Sequence, residues 1–215
     1  MIKRILISVL MVISAGLVQA ADLQVAPDQD LARYEEAYLN KVDAQGMRVI
    51  DKLVKEPSPD PLLTKAEQVA IAYYTISYEM EPRIMLAGAL KLEKKSGRFF
   101  RGQTTGGRIN ITHEGQILNF KDIVSVSASR SAAEGFLSDP DNSELLIIQA
   151  RSARDISPYS QCHNEGVDER EHFLLPGTAL RVVNIYRESI IMFNEELGKD
   201  EKRSVRIVEI TEISQ

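Results

Sequence analysis

Two glutamates separated by one arginine stand directly before an apolar run in the stretch EGVDEREHFLLPGT, residues 165–178. In an extended strand Glu169 and Glu171 would share one face with Phe173 and Leu175. The Cα atoms of the two glutamates would then be roughly 7 Å apart. If that face is buried, the strand carries two carboxylates into the mouth of a cleft, a costly place for charge. Taken alone, a solvated strand end is the simpler interpretation, because charged residues beside a turn are common.

An upstream arginine could supply the complementary charge for an anionic ligand. In GRFFRGQ, Arg101 ends an aromatic-rich run, and its planar guanidinium could hold a phosphate through a fork of donors. Gly102 follows and, having no side chain, would let a ligand approach the main chain closely. The plain alternative is a surface arginine before a turn.

A third segment, FKDIVSVSASRSAAEGF, places Ser125 and Ser127 on one face of a β run, with Arg130 in the polar turn that follows. Serine hydroxyls can orient a carboxylate, and the turn could contact a phosphate. Alternating serines in an exposed strand would also account for this pattern.

The elements that would position these side chains divide the chain in two. Residues 28–55 show apolar positions at helical spacing, EPSPDP interrupts them, and Thr64 with Glu67 forms a capping box before a second helix. Pro82 ends or kinks that helix, and RIMLAGALKLEKK continues as another. From Gly97 short β-type runs follow: RFFRG, GRINITH, QILNF, IVSVSA, ELLIIQA, EHFLL, ALRVVNIYR, SIIMFNEEL and VRIVEITEI. This pattern predicts an α+β fold, mainly helical to about residue 95 and mainly β from about residue 97, with the helices packed on a mixed sheet.

The first twenty residues, MIKRILISVLMVISAGLVQA, are typical of a secretory signal. Lys3 and Arg4 precede an apolar stretch, and Val18-Gln19-Ala20 forms a small-x-small cleavage site. The apolar stretch is too short to span a bilayer comfortably. We therefore expect residues 1–20 to be removed and residues 21–215 to form one exported domain, secreted or retained in the periplasm, with no stable membrane insertion.

Composition and net charge indicate which classes of binding partner the chain could have. With 44% hydrophobic and 27% charged residues the chain is typical of a globular protein. Loss of Lys3 and Arg4 would change the net charge from −5 to −7, which disfavours general attraction to nucleic acid or anionic lipid. The single cysteine, Cys162, can form no internal disulfide, and the three histidines lack metal-ligand spacing, so we expect no metal.

Taken in order, these segments resemble the Arg-Ser-Glu class of mono-ADP-ribosyltransferases, the class of cholera toxin and iota-type binary toxins. The resemblance covers most of residues 21–215. LTKAEQVAIAYYTISYEMEPRIMLAGAL looks like the family's helix pair, ARSARDISPYS looks like its SGRDIS.YS segment, and EHFLLPGTALRV matches EVLFPPGT.FRV position for position. Two positions depart from the family pattern: Val126 replaces the threonine of Ser-Thr-Ser, and Ala153 replaces the glycine before RDIS.

The resemblance implies an ADP-ribosyltransferase-like fold, with a mixed, mainly antiparallel two-sheet core and a cleft for NAD. By this resemblance Arg101 would bind the phosphates of NAD, and the main chain of Gly102 would hydrogen-bond the nicotinamide amide. Ser125 would hold the active-site carboxylate in position. Ser127 would complete the serine motif. By the same resemblance Arg130 lies in a turn that contacts phosphate and nicotinamide, and Phe136 is the family's aromatic, although core packing would also explain it.

The two glutamates take different roles in this resemblance. Glu171 would be the catalytic acid, because a fixed carboxylate can stabilise the oxocarbenium character that develops when the bond between ribose and nicotinamide breaks. Glu169 would handle the acceptor, since a guanidinium is a poor nucleophile until a base helps to remove its proton. A glutamate rather than glutamine at this position implies transfer of ADP-ribose to an arginine of a target protein, with residues 159–169 recognising that target.

The resulting hypothesis is an exported transferase that acts as a bacterial toxin or effector with NAD as co-substrate. Two alternatives stay open: an NAD glycohydrolase in which water replaces the acceptor, and a non-catalytic exported binding module on the same scaffold.

Overall fold

The computed structural model of the protein describes residue 33 and residues 62–77, 82–107, 109–137, 139, 141–160, 169–194 and 199–214. The predicted signal segment, nearly all of the helix predicted over residues 28–55, and Cys162 lie outside these residues. Most of the segment predicted to recognise the target, residues 159–169, also lies outside them. No helix in the described part has the length and apolar character needed to cross a membrane.

Two helices precede the sheet, α1 over Lys65–Ser77 and α2 over Pro82–Lys91. The predicted capping box is confirmed: the Thr64 amide donates to Glu67 Oε2 at 2.8 Å, and the Glu67 amide donates to Thr64 Oγ1 at 3.3 Å. These bonds satisfy two of the amide groups that a helix start leaves without partners. The predicted extension of α2 through LEKK is wrong, because the first strand already begins at Lys94.

After α2 the described residues form seven strands, one short α-helix and a single-turn 3-10 helix over Ser157–Tyr159. The strands are β1 Lys94–Thr104, β2 Ile117–Asn119, β3 Val124–Ser127, β4 Ser143–Asp155, β5 Glu171–Leu174, β6 Ala179–Asn194 and β7 Lys199–Glu212; the five-residue α3, Arg130–Glu134, follows β3. The predicted runs ALRVVNIYR and SIIMFNEEL are one continuous strand, β6. GRINITH forms no strand where it is described; its residues Ile109 and Ile111 are buried in a loop.

All seven strands belong to one sheet, in the order β1-β3-β5-β4-β7-β6-β2, with an additional pairing between β1 and β4. Among these strand pairs β4 and β7 are parallel and all the others are antiparallel. The sheet is therefore mixed and mainly antiparallel, as predicted. The expectation of two sheets is wrong. Because β1 and β4 each pair along both edges, the strands β1, β3, β5 and β4 close into a ring, and the hydrogen bonding continues without a break into β7.

Strand β5 is packed on both faces. Phe173 is fully buried against the helices and meets the Tyr74 ring of α1 edge-on, with 5.0 Å between ring centroids. Leu174 belongs instead to a second buried apolar cluster, to which side chains of β1, β3, β4, β6 and β7 also contribute. Full burial of a phenylalanine side chain stabilises a fold by about 1.5–3 kcal/mol. The helices therefore hold β5, and the carboxylate at its first residue, in a fixed place.

Candidate active site

A cavity of about 310 Å³ opens where α1, β1, β3 and the start of β5 meet. All of the predicted site residues except Arg130 line it, together with side chains that the sequence did not single out. The lining residues are Tyr74, Thr75, Phe100, Arg101, Gly102, Ser125, Val126, Ser127, Ala133, Phe136, Glu169 and Glu171. Residues up to 97 positions apart in sequence thus share one concave surface, which is the usual form of a small-molecule site.

Glu171, the first residue of β5, is held by a serine from the neighbouring strand. Ser125 Oγ donates to Glu171 Oε1 at 2.6 Å, and the glutamate is only 8% exposed. Burial raises the pKa of Glu171, and the nearby charge of Glu169 raises it further; hydrogen bonds from Ser125 and Ser160 and the charge of Arg101 act in the opposite direction. Burial dominates, so the site holds a carboxyl group that ionises less readily than usual.

The Arg101 side chain, from β1, is anchored to the neighbouring strand β3, which contains Ser125. Its NH1 donates to the Ser125 carbonyl at 2.7 Å, and its Nε lies 3.5 Å from Gln103 Oε1. The side-chain amide of Gln103 in turn donates to the buried Glu144 at 2.8 Å, and Arg206 pairs with the same carboxylate. The guanidinium is therefore held on the cavity wall, where it could bind an anionic group.

Glu169 reaches the cavity by a route that strand alternation did not predict. The strand begins only at Glu171, and Arg170 between the two glutamates has φ +46°, in the left-handed region. The expectation that both glutamates lie on one strand is therefore wrong, although both line the cavity. The turn is tied to the end of β3: Ala128 N donates to the Arg170 carbonyl at 3.0 Å, and Ser127 Oγ donates to the Glu169 carbonyl.

Gly102 has a packing reason for being glycine. A Cβ at this position would lie 2.2 Å from the Ala133 carbonyl oxygen and 3.1 Å from Phe136 Cβ. The missing side chain therefore lets α3 and the residues after it approach β1 closely. This approach brings Phe136 to the cavity, where it is 54% exposed and presents a ring on which a flat ligand could stack.

Arg130 is the one predicted site residue that the structure does not bring to the cavity. Its Nε donates to Glu134 at 2.7 Å, and its NH2 donates to Glu188 of β6 at 2.8 Å. The predicted contact with phosphate and nicotinamide would require the guanidinium to leave both carboxylates. No sequence pattern indicated the contact of Arg130 with Glu188, which lies 58 positions away, whereas the i,i+4 spacing to Glu134 could have suggested that ion pair.

The arrangement can perform two chemical tasks. A buried carboxylate beside a cavity can stabilise positive charge that develops on a bound substrate, and Glu171, whose carboxylate accepts a hydrogen bond from Ser125, is a group of this kind. A second carboxylate, Glu169, lies on the same cavity wall and could accept a proton from an incoming group. Sequence reasoning missed Tyr74 and Thr75, which it assigned only to the second predicted helix.

No protein-family model and no curated protein matches the chain, but solved structures do resemble it. Vis, an ADP-ribosyltransferase toxin from Vibrio splendidus solved with agmatine, has a TM-score of 0.52 at 15% identity, over 87% of this chain and 86% of Vis. Exoenzyme S from Pseudomonas aeruginosa, solved with carba-NAD and human 14-3-3 protein beta, has a TM-score of 0.52 at 20% identity, over 81% and 88% of the two chains. The type III effector XopAI from Xanthomonas axonopodis pv. citri has a TM-score of 0.50 at 13% identity, over 87% and 74%. The chain therefore has the ADP-ribosyltransferase fold.

Proposed function

We propose that the protein is a mono-ADP-ribosyltransferase that cleaves NAD and transfers ADP-ribose to an arginine side chain of a target protein. The observation that carries this proposal is the Ser125–Glu171 hydrogen bond inside a cavity whose wall also includes Arg101 and Glu169. The fold supports the general reaction, since Vis and exoenzyme S share it.

The cavity suits NAD as the first substrate. Arg101 offers a guanidinium for a phosphate, and the exposed ring of Phe136 offers a surface for a flat base or nicotinamide ring. Exoenzyme S, which has the same fold, was solved with the NAD analogue carba-NAD. Gly102 contributes by allowing Phe136 to lie this close to β1.

Glu171 would drive the first step, cleavage of the bond between ribose and nicotinamide. Its carboxylate stabilises the oxocarbenium character that develops on the ribose, as the carboxylates of glycoside hydrolases do. The Ser125 hydroxyl fixes the carboxylate oxygen that it contacts, so little reorganisation is needed as charge develops. Because only the ionised form can act in this way, the raised pKa of Glu171 ties activity to pH.

Glu169 would act in the second step, on the acceptor. A guanidinium is protonated at all physiological pH values, and it becomes a nucleophile only as a base takes a proton from the attacking nitrogen. Glu169 lies on the cavity wall at a turn rather than inside a strand, where an acceptor can reach it. Vis, solved with the small guanidinium compound agmatine, supports a guanidinium acceptor here.

We further propose that the protein is exported and acts as a toxin or effector. The signal-like residues 1–20 support export, and two proteins of this fold are described as a toxin and a type III effector. N-terminal sequencing of the protein from culture medium and periplasm should find a chain that begins after Ala20. A chain that begins at Met1 in the cytoplasm would contradict export.

The function is tested by incubating residues 21–215 with labelled NAD and a eukaryotic lysate, followed by mass spectrometry for ADP-ribosylated arginine. We expect label in protein, and we expect Glu171→Gln to abolish it. Glu93→Gln is the matched control, because Glu93 is exposed and pairs only with Lys95 among the contacts described. Intact NAD and no labelled protein with the unaltered chain would overturn the proposal.

The variant Glu169→Gln separates NAD cleavage from transfer of ADP-ribose to the acceptor. It should stop transfer to arginine and leave NAD cleavage largely intact. Free ADP-ribose with no modified protein from the unaltered chain would instead identify an NAD glycohydrolase. A melting temperature that NAD does not raise would identify a non-catalytic module, since a ligand that binds the native state stabilises it.

A further inference from the structure

His172 lies directly after Glu171 but faces away from the cavity. It is 8% exposed, and its ring packs against the Phe99 ring with 4.8 Å between centroids and 51° between planes. Its Nδ1 lies 2.8 Å from the carbonyl oxygen of Arg170, and its Nε2 faces Asp155 Oδ1 at 4.0 Å. The proposed chemistry gives this histidine no task.

The contact with Arg170 identifies Nδ1 as the ring nitrogen that donates a hydrogen bond. A carbonyl oxygen only accepts hydrogen bonds, so Nδ1 must carry the proton, and the neutral ring must be the Nδ1–H tautomer. The same carbonyl accepts a second bond, from Ala128 N at 3.0 Å. Two donors, one in β5 and one in the residue that follows β3, therefore converge on one oxygen.

That oxygen belongs to the residue with the unusual backbone. Arg170 has φ +46°, a conformation that costs free energy for a residue other than glycine and persists only where the surroundings impose it. The bonds from His172 and Ala128 supply this restraint, and Ser127 Oγ restrains the preceding carbonyl of Glu169.

The turn decides where the Glu169 carboxylate points. If Arg170 relaxed to negative φ, the chain before it would rotate and Glu169 would leave its place on the cavity wall. Glu171 would be less affected, because Ser125 and the strand pairing of β5 hold it separately. The two glutamates are thus held by different contacts.

We propose that His172 is a positioning residue for Glu169, which keeps that carboxylate in place by holding the left-handed turn at Arg170. This inference rests on the proposed function, because it assigns His172 to the transfer step and not to NAD cleavage. Its signature is therefore a ratio: arginine modified per NAD consumed.

Two variants test this role with labelled NAD and agmatine as the acceptor. His172→Leu keeps an apolar contact with Phe99 and removes the donor, and it should lower the ratio of transfer to hydrolysis about fivefold. His172→Asn places an amide NH₂ near the position of Nδ1, and it should keep the ratio within about twofold of the unaltered chain. An equal fall of the transfer-to-hydrolysis ratio in both variants, or an unchanged ratio in His172→Leu, would overturn the inference.

A measurement without turnover keeps this result distinct from the proposed function. Ring ¹⁵N NMR of the unaltered chain should show neutral His172 as the Nδ1–H tautomer. The backbone signals of residues 169–171 should shift in His172→Leu and return in His172→Asn. If the unaltered chain consumes no NAD, the proposed function fails while these spectra still decide the positioning role; an Nε2–H tautomer would refute it.

Discussion

Ser125 Oγ and Glu171 Oε1 form a 2.6 Å hydrogen bond between adjacent strands, although the residues are 46 positions apart in sequence. A hydroxyl that donates to a carboxylate at this distance forms a charge-assisted bond, stronger than one between neutral groups. It opposes burial, which favours the protonated acid. The serine therefore supports both the position and the ionised form of the glutamate.

Ser125→Ala should impair the proposed NAD cleavage most at low pH. Loss of the hydroxyl removes a contact that lowers the pKa of Glu171, so this pKa rises further and the acidic limb of the kcat/KM profile moves to higher pH. At fixed neutral pH we expect kcat/KM for NAD cleavage to fall about tenfold. A pH profile of both proteins checks this, and an unmoved acidic limb would contradict the role given to Ser125.

Glu171→Gln should stabilise the fold at neutral pH while abolishing the proposed NAD cleavage. The pKa of Glu171 is higher in the folded than in the unfolded chain, so the folded state binds this proton more tightly and loses stability as pH rises through the folded pKa. Removing the ionisable group should raise Tm at neutral pH. The gain should disappear below the ordinary carboxyl pKa, where both states are protonated. Thermal melts across pH measure the difference, and a lower Tm at neutral pH would contradict the account.

Gly102→Ala should destabilise the protein by about 1–3 kcal/mol, the usual cost of adding atoms to a packed site. The new methyl group would collide with the Ala133 carbonyl, which belongs to backbone and cannot swing aside. Gly97→Ala is the matched control on the same strand, because its nearest contact would be an ordinary 3.5 Å to Phe99. We expect that control to stay within about 0.5 kcal/mol in urea unfolding. Equal stability of the two variants would refute the packing role of Gly102.

Arg101 and Arg130 should respond differently to the same substitution. Arg101→Gln removes a guanidinium from the cavity wall and should raise KM for NAD by about tenfold or more. Arg130→Gln breaks partly exposed ion pairs with Glu134 and Glu188, which are worth about 1 kcal/mol or less each, and should change KM by less than about threefold. A larger effect at Arg130 would restore its predicted contact with the substrate.

Local signals in the sequence predicted the elements that depend on local contacts. Thr64 and Glu67 are three residues apart, and their capping box forms as expected. GRINITH has the composition of a strand, yet its described residues form no strand, because Ile109 and Ile111 are buried among apolar neighbours without pairing with another strand. Composition alone cannot distinguish these outcomes, since both bury the same side chains.

The left-handed turn at Arg170 shows where sequence reasoning stops. Nothing in DERE requires a positive φ, because arginine has no preference for that region. The conformation follows from donors on Ala128 and His172, which meet only after the strands pair. The sequence therefore predicted which residues line the cavity better than it predicted how the backbone presents them.

The closed ring of β1, β3, β5 and β4 also bears on how the protein folds. Its pairings join distant segments, as in the register of Phe100 with Ser127 and of Asp155 with His172. Contacts of high sequence separation form slowly, because long loops must close before the new contacts offset the lost chain entropy. A partly folded chain can thus contain α1 and α2 and still lack the Ser125–Glu171 pair. Recovery of activity during refolding should lag behind recovery of helical circular dichroism.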